Sequence, residues 1–235
     1  MTLEQVMSEL AAKGSTATKK LLLKHGAKEP FFGVKIAELK PLQKRLKGEQ
    51  ALALKLYATG NGDAQYLAGM IANGAEMTPA QLQQWAETAN WKMIAGFTVP
   101  WVASEHPDGF ALAVKWIDSK SECVAVSGWK TLSALATIVP DDQLPAEKFS
   151  ALLDRVAKQM AAAPDDVRSA MNAFIIAAGT YVGPLGDKSI TTARKIGRVE
   201  IDMGETACKV PDAEAYILKY RRGAPIAPKR KTVRC

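Results

Sequence analysis

Residues equipped for chemistry are few in this chain, and they gather in one stretch. Glu87–Pro107, ETANWKMIAGFTVPWVASEHP, places Trp91 and Trp101 around Pro100, with the cation Lys92 between them. Indole faces stack on nucleobases and an ammonium pairs with phosphate, so this composition suits a wall that handles a flat base. The competing reading is packing, two core helices meeting at a kink. Further along, Trp129 and Lys130 repeat the aromatic–cation pairing, and Arg168 and Asn172 share the run DDVRSAMNAFIIAAGTYVG. Trp91, Trp129 and Asn172 are candidates for base contact, and Lys92, Lys130 and Arg168 for phosphate. Trp101 and Trp116 lie on strongly apolar faces and read as core; so, on composition, does Phe174. Asn90 reads as a helix N-cap. Asn172 sits among apolar neighbours and needs hydrogen-bond partners if it is buried. No Asp or Glu occurs from Ala89 to Ser104.

Other chemistries find little support. The cysteines, Cys123, Cys208 and Cys235, are widely spaced, and His25 and His106 are the only histidines. A structural zinc site is not expected, and the thiols read as reduced. In DMGETACKVP, Asp202, Glu205 and Cys208 make a weak ligand set, so the segment reads as a connection docked on the last helices. No metal or organic cofactor is expected. No apolar run reaches the roughly 18 residues of a membrane span, and the N-terminus does not read as a signal peptide. A cytoplasmic monomer is expected.

The net charge of +7 is unevenly spread. Lys13–Lys47 holds ten basic residues and two acids, and Lys219–Cys235, KYRRGAPIAPKRKTVRC, holds seven basic residues and no acid. The stretch between them, from Gly48 to Leu218, nets −6. Basic clusters at both ends suit a phosphate backbone; the plainer reading is a solvated lysine face plus a disordered tail. Within the tail, Lys229, Arg230, Lys231 and Arg234 are phosphate candidates on what reads as a flexible arm, since Pro225 and Pro228 stop any helix.

The elements that must position these residues are helical. GDAQYLAGMIANGA carries Tyr66, Leu67, Met70 and Ile71 on one face. MTPAQLQQWAETAN opens with Thr78 as N-cap and Pro79 at the first helical position. LPAEKFSALLDRVAKQMAAAP is a long amphipathic helix, and DDVRSAMNAFIIAAGTYVG is capped by Asp165 or Asp166 and runs to Gly183. VEIDM, Val199–Met203, is a lone strand candidate with nothing to pair with. Helix pairs joined by Pro- and Gly-marked turns recur roughly every 40 residues, which predicts an all-α, HEAT-like solenoid of antiparallel helix pairs with a concave groove. The expected organisation is one repeat domain over residues 1–218 and a basic tail over 219–235.

FFGVKIAELKPLQKRL, NWKMIAGFTVPWVASEHP and ALAVKWIDSKSECVAVSGWKTLSAL resemble the bacterial DNA alkylation repair proteins of the AlkD type, over roughly Phe31–Tyr181. These are HEAT-like repeat DNA glycosylases that remove cationic N3- and N7-alkylated purines. The C-terminal part looks like a branch of that family with its own extension. The resemblance implies duplex DNA as partner, a nucleoid-associated location, and hydrolysis of an N-glycosidic bond. It also raises Phe174 to a base-contact candidate. The family's catalytic aspartate falls at Gly96, its paired tryptophans at Trp91 and Lys92, and its arginine at Val126. Base release passes through a sugar with oxocarbenium character, and one electrostatic group of this kind is worth about 10²–10³ in rate. A glycine in its place and a lysine beside it point away from catalysis, unless Glu87, Glu105 or Glu122 supplies the charge. Three functions therefore stand open: a glycosylase, a non-catalytic DNA-binding protein, and a protein-interaction scaffold.

Overall fold

The structure, a computed structural model, describes residues 1–202 and 209–234. Among these residues the regular elements are all helical. They are α1 (Leu3–Lys13), α2 (Thr16–Lys24), α3 (Ile36–Leu46), α4 (Gln50–Ala58), α5 (Gly62–Ile71), α6 (Pro79–Glu87), α7 (Val99–Ala103), α8 (Gly109–Trp116), α9 (Glu122–Ile138), α10 (Ala146–Gln159), α11 (Asp165–Tyr181), α12 (Gly186–Ile196) and α13 (Ala213–Arg221). A π-helical turn, Ile94–Thr98, runs directly into α7. Residues 199–202 form no strand. None of the helices is long and apolar enough to cross a membrane. The described residues fall into two compact units, one of residues 1–112 with Arg234, the other of residues 113–202 with 209–233.

The first unit is organised around α5. The sequence predicts a helix apolar on one face, yet α5 is buried along its whole length. Four helices, α1, α3, α4 and α7, pack on it, as does the π turn. Small residues make that possible: Ala64, Ala68 and Gly69 leave room for neighbours between the larger side chains. At Gly69 a Cβ would collide with the side chain of Thr98, and at Gly74 with the carbonyl of Val102. Gly69 seats the π turn against α5, and Gly74 seats α7 against the turn that follows α5. Local signals in the sequence hold elsewhere. Thr2 with Gln5, and Thr78 with Gln81, form reciprocal capping boxes, and Pro79 occupies the first turn of α6. Asn90 differs from its expectation. It caps no helix: its amide donates to the Gly60 carbonyl at 2.8 Å while its backbone N–H donates to Gln65. The side-chain oxygen that a cap would use accepts no bond from the described residues, and the residue is held instead by Gly60 and by Gln65 of α5.

In the second unit α9 and α11 pack most extensively, with α12 and α13 also against α11. The amphipathic α10 buries Phe149, Leu152, Leu153 and Val156, the i, i+3, i+4, i+7 stripe its sequence predicts. The start of α11 differs from expectation: Pro164 is the cap residue, with Asp165 and Asp166 inside the first turn, where their charge complements the helix dipole. The helix ends at Tyr181, short of Gly183. Arg221 is buried, and its Nε donates to the Gly179 carbonyl at 2.9 Å. A guanidinium at those last carbonyls stabilises the end of α11.

The basic tail is docked, contrary to the flexible arm its prolines and charges suggest. The Ala227 N–H donates to the Thr180 carbonyl and the Arg230 N–H to the Thr137 carbonyl. Lys229 pairs with Asp141 at 2.8 Å and donates to the Ala136 carbonyl. Arg234 pairs with Glu105 and donates to the Gly69 carbonyl. Helix-end carbonyls and two acids far away in sequence hold what local composition reads as loose.

Candidate nucleic-acid interface

The segment from Trp91 to Ser104 carries the main candidates, and the π turn decides what each one faces. One extra residue in a helical turn rotates the following side chains by about 100° relative to an α-helical register. Ile94, Ala95, Gly96 and Thr98 are buried, and Phe97 is 47% exposed. The Phe97 ring lies 6.4 Å, centroid to centroid, from Trp101, which meets Tyr66 edge-on at 5.2 Å. Phe97 is thus an outward ring on a rigid aromatic support. Trp91 is buried and lines an apolar cavity of about 270 Å³ with Phe31, Tyr66 and Ile94. Lys92 is half-buried, its stem reaching the turn at Gly26, where a Cβ would sit 3.8 Å from Lys92 Cε. Gly26 has φ +85°, a conformation that disfavours a side chain, so the turn leaves that space to the lysine.

Carboxylates near this segment are committed. Asp63 lines the cavity and is the buried carboxylate of the described residues. Its oxygens accept the backbone N–H groups of Phe32, Gly33 and Val34 at 2.6, 2.9 and 3.0 Å. Burial pushes its pKa above the ordinary carboxylate value, opposed by those three donors and by Lys19. Its task is to clamp the 31–35 loop onto the start of α5. Of the acids that could replace the absent one at Gly96, Glu105 receives Arg234 and the Gly74 N–H. Glu87 accepts from Gln83, and Glu122, at the start of α9, accepts the Asp166 N–H.

The second unit treats its candidates differently. Trp129 and Phe174 are fully buried, 5.4 Å apart, with Phe149 5.7 Å from Phe174. Arg155 lies over the Trp129 ring and pairs with Asp118 at 2.6 Å. Val126, where the resemblance puts an arginine, is buried as well. Asn172 is buried and donates to the Pro211 carbonyl at 2.8 Å. None of these three side chains, Trp129, Asn172 or Phe174, offers a face to a base; they fill the space between helices, where a large ring gains most by leaving water. Lys130 is half-buried, and burial lowers the pKa of its ammonium. Arg168 is half-buried and paired with Asp165. Arg230 and Lys231 are exposed. Glu205, Cys208 and Cys235 lie outside the described residues.

The sequence profile of the DNA alkylation repair enzymes matches residues 6–184. The chain belongs to the DNA alkylation repair enzyme family. Two Listeria proteins without an assigned function, Lin0241 of Listeria innocua and Lmo0209 of Listeria monocytogenes, are each 31% identical to it over 227 residues, covering 94% of this chain and 98% of theirs. A solved structure superposes with a TM-score of 0.90 at 34% identity, over 100% of both chains. It represents "a new family of proteins related to the HEAT-like repeat DNA glycosylases with affinity for branched DNA structures". The expected all-α, HEAT-like fold is therefore the fold of this alkylation repair family member, and the similarity runs through α13, past the residues the family profile covers.

Two exposed rings lie outside the residues singled out from the sequence. Phe97 has apolar neighbours, and the π turn brings it out. Tyr220 of α13 stands in an ordinary helical pattern; the available signal is its place beside Lys219 and Arg222.

Proposed function

We propose that this family member binds branched DNA through the Lys92–Phe97 region and does not release bases. The observation that carries the reading is the π turn itself: it presents Phe97 to solvent and buries Gly96 where the glycosylases' acid would stand. A branch point exposes base-pair faces that a linear duplex keeps stacked. An outward aromatic can cover such a face or enter a loosened step, as apolar wedges do. Lys92 and the exposed lysines of the N-terminal segment, among them Lys20, Lys24 and Lys28, would contact phosphates of the duplex arms. Exposed Arg230 and Lys231 in the second unit, and the half-buried Lys130 and Arg168, are further phosphate contacts under this reading. The relative's affinity for branched DNA, at 34% identity, supports it.

The test pairs two measurements on the full chain. Affinity for a four-way junction and for a linear duplex of the same sequence is measured at one salt concentration, and free base is measured from duplex carrying 7-methylguanine and 3-methyladenine. The expected result is tighter junction binding and base release at the spontaneous rate. Equal affinities would remove the branched-DNA reading, and base release above background would restore the glycosylase.

A further inference from the structure

A second surface, in the other unit, has the chemistry of a single-strand platform. Helix α13 buries the stripe Ala213, Ile217 and Arg221, with Ile217 against Gly179 and Arg221 on the Gly179 carbonyl. That anchoring leaves Leu218, Lys219 and Tyr220 exposed and Tyr216 half-buried. Tyr220 is 49% exposed and Leu218 52%. Tyr216 meets Tyr220 edge-on at 5.9 Å, and the Lys219 ammonium lies 5.4 Å from the centre of the Tyr216 ring. Tyr181, at the end of α11, lies within electrostatic reach of Tyr220 and Arg230, so the docked tail brings its arginine to the same corner. Lys219, Arg222, Arg230 and Lys231 are all exposed. The carboxylates of α13 are spent, Glu214 on Arg194 at 2.6 Å and Asp212 on the Ala215 N–H at 2.8 Å.

We propose that Tyr216, Tyr220 and the cations around them, Lys219, Arg222 and Arg230, form a binding surface for unpaired nucleotides of single-stranded DNA. Three features select this occupant. Tyr220 is outward, with the half-buried Tyr216 edge-on behind it, which suits stacking on bases of any sequence. The cations flank the rings, and neither Asp212 nor Glu214 pairs with them, which suits a phosphate backbone running past the bases. The surface also lies beyond residue 184, outside the region the family profile matches. It owes nothing to the Lys92–Phe97 site.

The experiment uses the full chain and a fluorescent dT15 oligonucleotide, with the four-way junction as a fully paired reference. The wild type should bind dT15. Tyr220→Ala should weaken that binding at least about fivefold, the low end for one lost stacking contact, and Tyr220→Phe should keep it. Junction affinity should be unchanged in both variants, and so should the melting temperature, because the ring is outward. Lys219→Gln should lower the salt slope on dT15 by about 0.7, the value for one single-strand phosphate contact. A wild type that ignores dT15 would overturn the proposal even with junction binding intact. So would a Tyr220→Ala chain that loses dT15 and junction equally, or a Tyr220→Phe chain as weak as the alanine variant. Failure on the junction with dT15 binding intact would instead overturn the branched-DNA reading alone.

Discussion

Phe97 and Phe174 are the same residue type on opposite assignments. Phe97 stands in an apolar run that reads as core, and the π turn of the first unit carries it to the surface on a Trp101–Tyr66 support. Phe174 matches an aromatic that the glycosylases use on the base, and the second unit encloses it between Trp129 and Phe149. Correspondence in sequence transfers a residue's position along a helix. It does not transfer the face that the helix turns to solvent, and that face sets whether a ring contributes stability or contact.

The strongest way to break this comparison is to truncate both rings. Phe174→Ala should cost about 3–5 kcal/mol of stability, the usual range for deleting an enclosed phenyl group. Phe97→Ala should change stability by no more than about 0.5 kcal/mol, as at ordinary surface positions. The DNA readout should run the other way. Phe97→Ala should lose most of the preference for a junction over a linear duplex, while the folded fraction of Phe174→Ala keeps it. Urea unfolding and binding titrations on the two chains would measure all four quantities. A destabilised Phe97→Ala with its junction preference intact would return Phe97 to the core and leave the π turn without a binding role.

A smaller effect tests the seat beneath Phe97. Gly69→Ala places a Cβ against Thr98 and should cost about 1–3 kcal/mol through overpacking. Because the collision is with the π turn, junction preference should fall as well. The double variant Gly69→Ala with Thr98→Ser removes the methyl group that the new Cβ meets, and should recover part of both losses. Stability recovered without junction preference would mean that the π turn tolerates displacement and does not hold Phe97 in place for binding.

These contrasts mark where sequence stops being informative. Helix order was legible because caps and stripes are local: Thr78–Pro79 starts α6, and the Phe149–Val156 stripe of α10 needs no partner to be recognised. The lack of any acid from Ala89 to Ser104 was legible too, since it is a matter of residue type. The all-round burial of α5 was not, because Gly69 acts through close approach to Thr98, some thirty positions away. Neither was the π turn, whose sequence IAGFT has no feature that an α-helix would refuse. Asn90 has the composition of an N-cap, but its role is set by Gln65 and Gly60 across the fold. The tail misleads for the same reason. Its partners, Asp141 and Glu105, are about ninety and one hundred and thirty residues away.

The tail also supplies the finest test, because the structure divides its cations into two classes. Lys229 and Arg234 are paired with acids; Arg230 and Lys231 are exposed. Each phosphate contact on duplex DNA contributes about 0.9 to the slope of log affinity against log salt. Arg230→Gln with Lys231→Gln should therefore lower the slope on duplex arms by about 2 and leave stability unchanged. Lys229→Gln with Arg234→Gln should leave the slope alone and reduce stability by about 1 kcal/mol per half-buried pair, since solvent still screens part of each attraction. The opposite pattern would mean that DNA draws Lys229 and Arg234 away from Asp141 and Glu105. The docked tail would then be a resting position, and the acids holding it would be competitors of the phosphate backbone.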